Sequence, residues 1–425
     1  MSVVKKIAAI IEKVTGSPEL KRLAENFLSL SLLQAANYIL PLITLPYLIR
    51  VLGAEKYGLV IFAQAFTHYF IILTDYGFDL SATRDISIHR DDKAKVADIF
   101  NSVLLIKFSI MSAGFICFLI LVFSFQRFSE EWPVFLLSYG VVLGNFLFPL
   151  WFFQGMERMK YITVLNILSK SVFTIAVFIF IQAPEDYVYV PLLSSIGYII
   201  AGLWAQKIVI REFSIRYFLP AKSVVFEKLK DSSQFFASRL SLSIFNTSTA
   251  FVLGVFTTNE VVGYYSAAER IYTAIRSAYT PLISTLYPYV AKEKNISLFK
   301  KAFRIATVFN FCLATMIFFL AFFIVRIMFG DGMEISAYIL QIFAVTSIFV
   351  VPSALLGYPF LAALGHPGHA NNSIILGSLF HLTGLVILAA LGMIDIKLVV
   401  SLVMMTEILI LSLRVWMVKK ENLWK

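Results

Sequence analysis

The side chains best able to do chemistry in this sequence are charges set inside apolar runs. Lys107, Lys170, Arg239, Arg270 and Arg276 each stand in a stretch otherwise dominated by Leu, Ile, Phe, Val and Ala. A guanidinium offers a planar fork of donors that fits two oxygens of a carboxylate or phosphate, and an ammonium offers a compact point charge. Left against lipid, each would cost about 2.5–3.5 kcal/mol, so they must face a protein interior or a wet cavity. Arg239 and Arg276 lie near enough to the ends of their stretches for partial snorkelling, whereas Lys107 and Lys170 do not. Asp75, Glu269 and Glu407 are the carboxylates at comparable depth, and they are the candidates to carry a proton or a sodium ion. Internal pairing, such as Glu269 with Arg270 or Arg276, competes with any ligand-binding role. Three acids do not neutralise five bases, and the excess of positive charge points to an anionic ligand.

Spacing groups these residues. In YYSAAERIYTAIRSAY, residues 264–279, a helix would place Tyr265, Glu269, Tyr272, Arg276 and Tyr279 on a single stripe. Arg239, Ser243 and Asn246 follow one face of a helix, and Gln34, Asn37, Pro41 and Thr44 another. His366 and His369 form an HxxH pair in LGHPGHA, without a third ligand nearby in sequence, so ordinary loop chemistry is expected and no metal site. No phosphate-binding GxxxxGK[ST] loop is present, and Cys117 and Cys312 both lie in apolar runs, which excludes a disulfide framework. No cofactor is expected.

Elements long enough to hold such stripes in a bilayer dominate the chain. It has 425 residues, 59% hydrophobic and only 15% charged, with a mean hydropathy of +0.82. Soluble domains are nearer half apolar and a quarter charged, so an all-α integral membrane protein is expected. With about 20 apolar residues needed per crossing, twelve spans are predicted. The first six are roughly 26–49, 57–80, 98–123, 132–154, 160–182 and 188–209; the second six are roughly 232–256, 260–289, 300–326, 335–363, 368–392 and 395–418.

Of the 36 Lys and Arg, 26 fall in loops on one side of these spans and five on the other, so both termini are expected in the cytoplasm. The net charge of +10 is thereby a topology signal, and no nucleic-acid partner is expected. Residues 1–25 read as an amphipathic cytoplasmic segment and 211–231 as a basic linker. That leaves 26–210 and 232–418 as two six-helix bundles around a central cavity, and 419–425 as a tail. AEKYGLVIFAQ (54–64) aligns with NEVVGYYSAAE (259–269) at an offset of 205, pairing Gly58 with Gly263. FPLWFFQG (148–155) aligns with YPFLAALG (358–365) at an offset of 210. Two matches six spans apart suggest parallel repeats, with a substrate site between the halves. Pro41, Pro46, Pro281 and Pro288 remove backbone hydrogen bonds and are the candidate hinges.

The runs NYILPLITLPYLIRVLGAEKYGLVIFAQAF, WFFQGMERMKYITVLNILSK and VGYYSAAERIYTAI resemble the Wzx-type O-antigen flippases. These form part of the polysaccharide transporter branch of the multidrug/oligosaccharidyl-lipid/polysaccharide exporter superfamily. The resemblance covers nearly the whole chain. It implies a bacterial inner-membrane protein that moves undecaprenyl-pyrophosphate-linked oligosaccharide repeat units outward by alternating access, without enzymatic chemistry. The carried pyrophosphate would then meet Arg239, Arg270 and Arg276, with Lys107 and Lys170 adding positive field. Tyr265 and Tyr272, helped by Gln34, Asn37 and Asn246, would meet sugars or pack between helices. A proton or sodium ion is the coupling candidate and a glycan polymerase the protein partner. Two rivals are a multidrug efflux antiporter, which an acid-rich cavity would suit better, and a membrane-embedded glycan polymerase or ligase, which would need a sizeable outer loop.

Overall fold

The computed structural model describes residues 18–424; the side chains of 18–36, 38–39 and 237–246 lie outside that description. The amphipathic reading of residues 1–25 falls largely on residues that are not described. Everything described is helix, turn or short connection, with no strand among the described residues. In chain order the helices are α1 (Pro18–Asp75), α2 (Phe78–Ile88), α3 (Lys93–Ser124), α4 (Gln126–Ser129), α5 (Trp132–Leu147) and α6 (Leu150–Gly155). They continue with α7 (Met159–Phe180), α8 (Tyr189–Glu212), α9 (Lys222–Phe256), α10 (Asn259–Ser277) and α11 (Thr280–Glu293). The last four are α12 (Ile296–Phe329), α13 (Glu334–Leu356), α14 (Pro367–Ala390) and α15 (Ile396–Lys420). Among the described residues, nine helical stretches are long and apolar enough to cross a membrane.

The places where helices stop have local causes. Asp92, Thr258, Asn295 and Asp395 cap the starts of α3, α10, α12 and α15 by accepting backbone N–H bonds at residues two or three further on. Gly53, with φ +73 and ψ 172, a backbone conformation that glycine adopts without strain, interrupts α1, so two helical stretches meet there at a kink that falls between the predicted spans 26–49 and 57–80. The predicted span 260–289 is instead two helices. Pro281 sits in the first turn of α11 and has no N–H to continue the ladder from α10, so the chain turns at Ala278 and Tyr279. Pro281 is therefore a helix start, whereas Pro288 lies inside α11. The span predicted over 335–363 changes character at Gly357, where a π-helical turn, Gly357–Ala362, carries Pro359.

The chain forms two compact units. The first contains residues 1–44, 67–182 and 188–240; the second contains 45–66, 183–187 and 241–425. A core of Phe78, Phe100, Trp151, Phe152 and Phe153 lies in the first unit, all 3% exposed or less, the last four joined by edge-on and tilted ring contacts. In the second, Phe299 stacks on Phe360 with centroids 4.5 Å apart, packed beside Val290, Leu355 and Leu361.

Turn geometry recurs at one fixed offset along the chain. Glu157 and Gly365 both have positive φ, 208 residues apart, and so do Ser214 and Asn422. After the first pair, Arg158 N donates to Phe153 O at 2.8 Å and His366 N to Leu361 O at 2.9 Å, the same helix-ending bond in each half. The structural register here is 208, two residues away from the sequence alignment of these segments.

Candidate functional site

Within the second unit, α9, α10, α13, α14 and α15 surround a cavity of about 240 Å³. Its polar lining is Glu269, Arg276, Tyr265, Tyr272 and Thr273 from α10, Thr249 from α9, His381 from α14 and Glu407 from α15; Phe343 of α13 supplies an aromatic wall. The seven-residue rhythm of α10 brings this about, since Tyr265, Glu269, Tyr272 and Arg276 point to one side over about three turns. Phe343 fixes the tyrosines: it stacks on Tyr272 at 4.6 Å with the planes 9° apart and meets Tyr265 edge-on at 5.9 Å. One face of each ring is thus committed to protein packing.

The cavity's electrostatics are mixed. The Tyr265 hydroxyl donates to Glu269 Oε1 at 3.0 Å, and Arg270 lies beside Glu269 and the buried Tyr57. Glu407, 6% exposed, has Arg276 and Arg414 as its charged neighbours. The Tyr272 hydroxyl is buried without a hydrogen-bond partner among the described residues. A buried hydroxyl aimed at a cavity calls for a ligand or water there. The lining alone offers two carboxylates and one guanidinium, so it suits a proton or small cation at least as well as an anion.

Other predicted site residues fall in the first unit. Lys107 is 3% exposed, and its ammonium donates to Asp75 Oδ1 at 2.9 Å; Asn145 Nδ2 donates to the same oxygen at 2.9 Å. Lys170 Nζ donates to Asn37 Oδ1 at 2.6 Å. The side chains of Gln34, Arg239 and Asn246 lie outside the described residues. Pro41 and Pro46 both fall within α1, and the Thr44 hydroxyl donates to the Pro41 carbonyl at 3.3 Å.

Two site residues escaped the sequence reading. His381 is fully buried, with Thr249 Oγ1 3.1 Å from its Nε2 and Thr406 Oγ1 3.4 Å from its Nδ1. Arg414, one of the 26 basic residues assigned to the cytoplasmic side, is 5% exposed. Its Nε donates to Ser373 Oγ at 2.9 Å and its Nη1 to the Ser353 carbonyl at 2.6 Å. The signal for Arg414 was its i, i+7 relation to Glu407 on one face of α15.

Comparison with known proteins places this geometry in a family. Residues 23–294 match the family described as polysaccharide biosynthesis protein. The chain belongs to the polysaccharide biosynthesis protein family. It is 27% identical over 407 residues to a putative O-antigen transporter of Escherichia coli strain K12, covering 94% of this chain and 98% of that protein. It is 26% identical over 368 residues to a putative O-antigen transporter of Shigella dysenteriae, covering 84% and 91%. Among solved structures, the lipid II flippase MurJ in an inward closed conformation superposes with TM-score 0.70 at 14% identity, covering 93% of this chain and 87% of that one. An inward-facing multidrug resistance MATE family transporter of the MOP superfamily gives TM-score 0.66 at 15% identity, covering 90% and 95%. The fold is thus shared by this polysaccharide biosynthesis family member, a lipid II flippase and a multidrug resistance transporter.

Proposed function

We propose that this protein is a flippase for lipid-linked oligosaccharides, moving undecaprenyl-pyrophosphate-linked repeat units from the inner to the outer leaflet of the bacterial cytoplasmic membrane. The supporting observation is near full-length similarity to two proteins named putative O-antigen transporters, in a chain whose helix α10 carries Arg270 and Arg276. In this reading the twelve predicted helices act as two six-helix bundles, divided near 211–231, that alternate access with both termini in the cytoplasm. It is a transporter and not an enzyme. Arg270 and Arg276, both solvent-accessible on α10, hold the pyrophosphate together with Arg239. Glu269 and Glu407 carry the coupling proton or sodium ion, an assignment favoured by two carboxylates on one cavity beside a Tyr272 hydroxyl that has no hydrogen-bond partner among the described residues. Pro41, Pro46 and Pro288 supply bending points, and a glycan polymerase is the partner that takes the product.

A second reading, efflux of organic cations, is favoured by one observation: carboxylates outnumber bases in the cavity lining. One set of experiments separates the two. In a strain lacking its own flippase, the wild-type gene is expected to restore surface glycan without raising resistance to cationic drugs. Arg270→Gln and Arg276→Gln are each expected to lower glycan export while the protein stays at wild-type abundance in the membrane. Glycan export that is indifferent to both substitutions overturns the phosphate assignment, and drug resistance without glycan export selects the second reading.

A further inference from the structure

The HxxH pair finds in the fold the third ligand that its sequence neighbourhood lacks. His366 stands just before α14, held by its own N–H bond to the Leu361 carbonyl at 2.9 Å and followed by Pro367 at the helix start. His369 lies one turn into α14, its ring parallel to that of His366 with centroids 5.5 Å apart. Glu421, the residue after the end of α15, brings Oε1 to 3.3 Å from His369 Nε2. One donor atom from each of the three residues lies within 4.8 Å of the other two, and all three side chains are half-buried.

We infer that His366, His369 and Glu421 form a binding site for a divalent transition-metal ion, zinc being the best match, which ties the start of α14 to the end of α15. Two imidazoles and a carboxylate are a donor set that zinc accepts, with water completing the tetrahedron. Zinc–nitrogen bonds of about 2.0–2.1 Å put donor atoms roughly 3.3 Å apart. The observed cluster needs only side-chain rotation to reach that spacing, because the backbone positions are already set by the turn at Gly365, with φ +95, and by the first turn of α14. Imidazole donors favour zinc, nickel or copper over magnesium or calcium, which prefer all-oxygen shells.

The corresponding place in the first unit shows what the position does without a metal. There Tyr161, in the first turn of α7 and 208 residues before His369, donates its hydroxyl to Glu212, the last residue of α8. In both halves the start of one helix is thus tied to the end of the next by a side-chain contact to a glutamate. In the second half two imidazoles replace the single phenol, which turns a hydrogen bond into a chelating set. The charge around the site is mixed: the carbonyl end of α15 favours a cation, while the amide end of α14 and the exposed Lys419 and Lys420 oppose it. The expected affinity is therefore that of a three-ligand site with an open fourth position, below that of a closed four-ligand structural site.

The test uses the full-length protein in detergent, with any affinity tag removed. Titration with Co2+ as spectroscopic probe, followed by displacement with Zn2+, is expected to give one equivalent with the visible absorption of tetrahedral coordination. Zn2+ should also raise the melting temperature. His369→Ala and Glu421→Gln should each lower zinc affinity by more than about a hundredfold, beyond what loss of an outer-shell contact costs. Both should abolish the zinc-dependent rise in melting temperature. His366→Ala leaves the His369–Glu421 contact intact, so weakened metal binding in that variant with an unchanged metal-free melting temperature separates ligation from folding. Wild-type protein that binds no Co2+ or Zn2+, or binds them no more tightly than the His366→Ala/His369→Ala double variant, overturns the assignment.

Discussion

Lys107 and Asp75 show how a membrane protein answers a charge from within. The ammonium is almost wholly buried, while the Asp75 side chain keeps 36% of its surface exposed and takes donors from both Lys107 and Asn145 on one oxygen. Removing the carboxylate would leave the ammonium with its desolvation cost and no compensating partner, a loss of about 3–5 kcal/mol. Asp75→Ala is therefore expected to lower the melting temperature of the purified protein sharply, and the Asp75→Asn/Lys107→Met pair should recover much of it. An Asp75→Ala protein that melts with the wild type would mean that Lys107 reaches water. The sequence marks Lys107 as a charge needing an answer, but its partner lies 32 residues away on another helix, and no periodicity reveals that. Arg414 illustrates the opposite failure: a position near a span end reads as interfacial, and only packing against Ser353 and Ser373 shows it to be internal.

Helix crossings carry the next level of information. The repeat match that pairs Gly58 with Gly263 also pairs Ala54 with Asn259, and in the second unit these four residues meet reciprocally. A Cβ on Gly58 would strike the Asn259 carbonyl oxygen and lie 2.6 Å from the Gly263 amide nitrogen, while one on Gly263 would run into the Ala54 carbonyl group. Each glycine thus faces the residue four positions before its partner glycine, a contact with local two-fold character. Because the obstructing atoms are backbone, no rotamer change relieves them. Gly58→Ala is expected to cost roughly 1–3 kcal/mol by forcing the two helices apart. Gly53→Ala, where nothing lies within 4 Å but φ is +73 and ψ 172, a backbone region that is essentially glycine's own, should cost about 1–3 kcal/mol from strain alone. Thermal unfolding of Gly58→Ala checks the close crossing, and a melting temperature equal to that of the wild type would argue against it. The two glycines were visible in the sequence as a repeat; that they touch was not, because repetition specifies equivalence and says nothing about contact. The stripe on α10 was legible for a simpler reason: 3.6 residues per turn is enough to predict a shared face, and the cavity gathers four of its five members, with Tyr279 lost to the turn before Pro281.

At the scale of the whole molecule, the strongest sequence signal still to be tested is the distribution of basic residues between the two sides of the membrane. Loops rich in Lys and Arg are retained in the cytoplasm during insertion, and a split of 26 against five is far from even. Helix α12 offers a direct measurement, because it is a single uninterrupted element long and apolar enough to cross a membrane, and its crossing would put its two ends on opposite faces. Its 34 residues span about 50 Å at 1.5 Å per residue, more than the hydrocarbon thickness of about 30 Å. Lys294 precedes it on an exposed turn rich in lysine, and Asp331 follows it in an exposed turn after Gly330. With Cys117 and Cys312 replaced by Ser, single cysteines are introduced as Lys294→Cys and Asp331→Cys. A membrane-impermeant maleimide should label the variant at 331 in intact spheroplasts and the variant at 294 only after permeabilisation. The reverse pattern would invert every assignment of inner and outer loop, and would put the α14–α15 histidine cluster on the outer face with them. Labelling of both sites in intact spheroplasts would instead mean that α12 does not cross, leaving its exposed Phe309, Phe311, Phe319 and Phe323 without lipid to face.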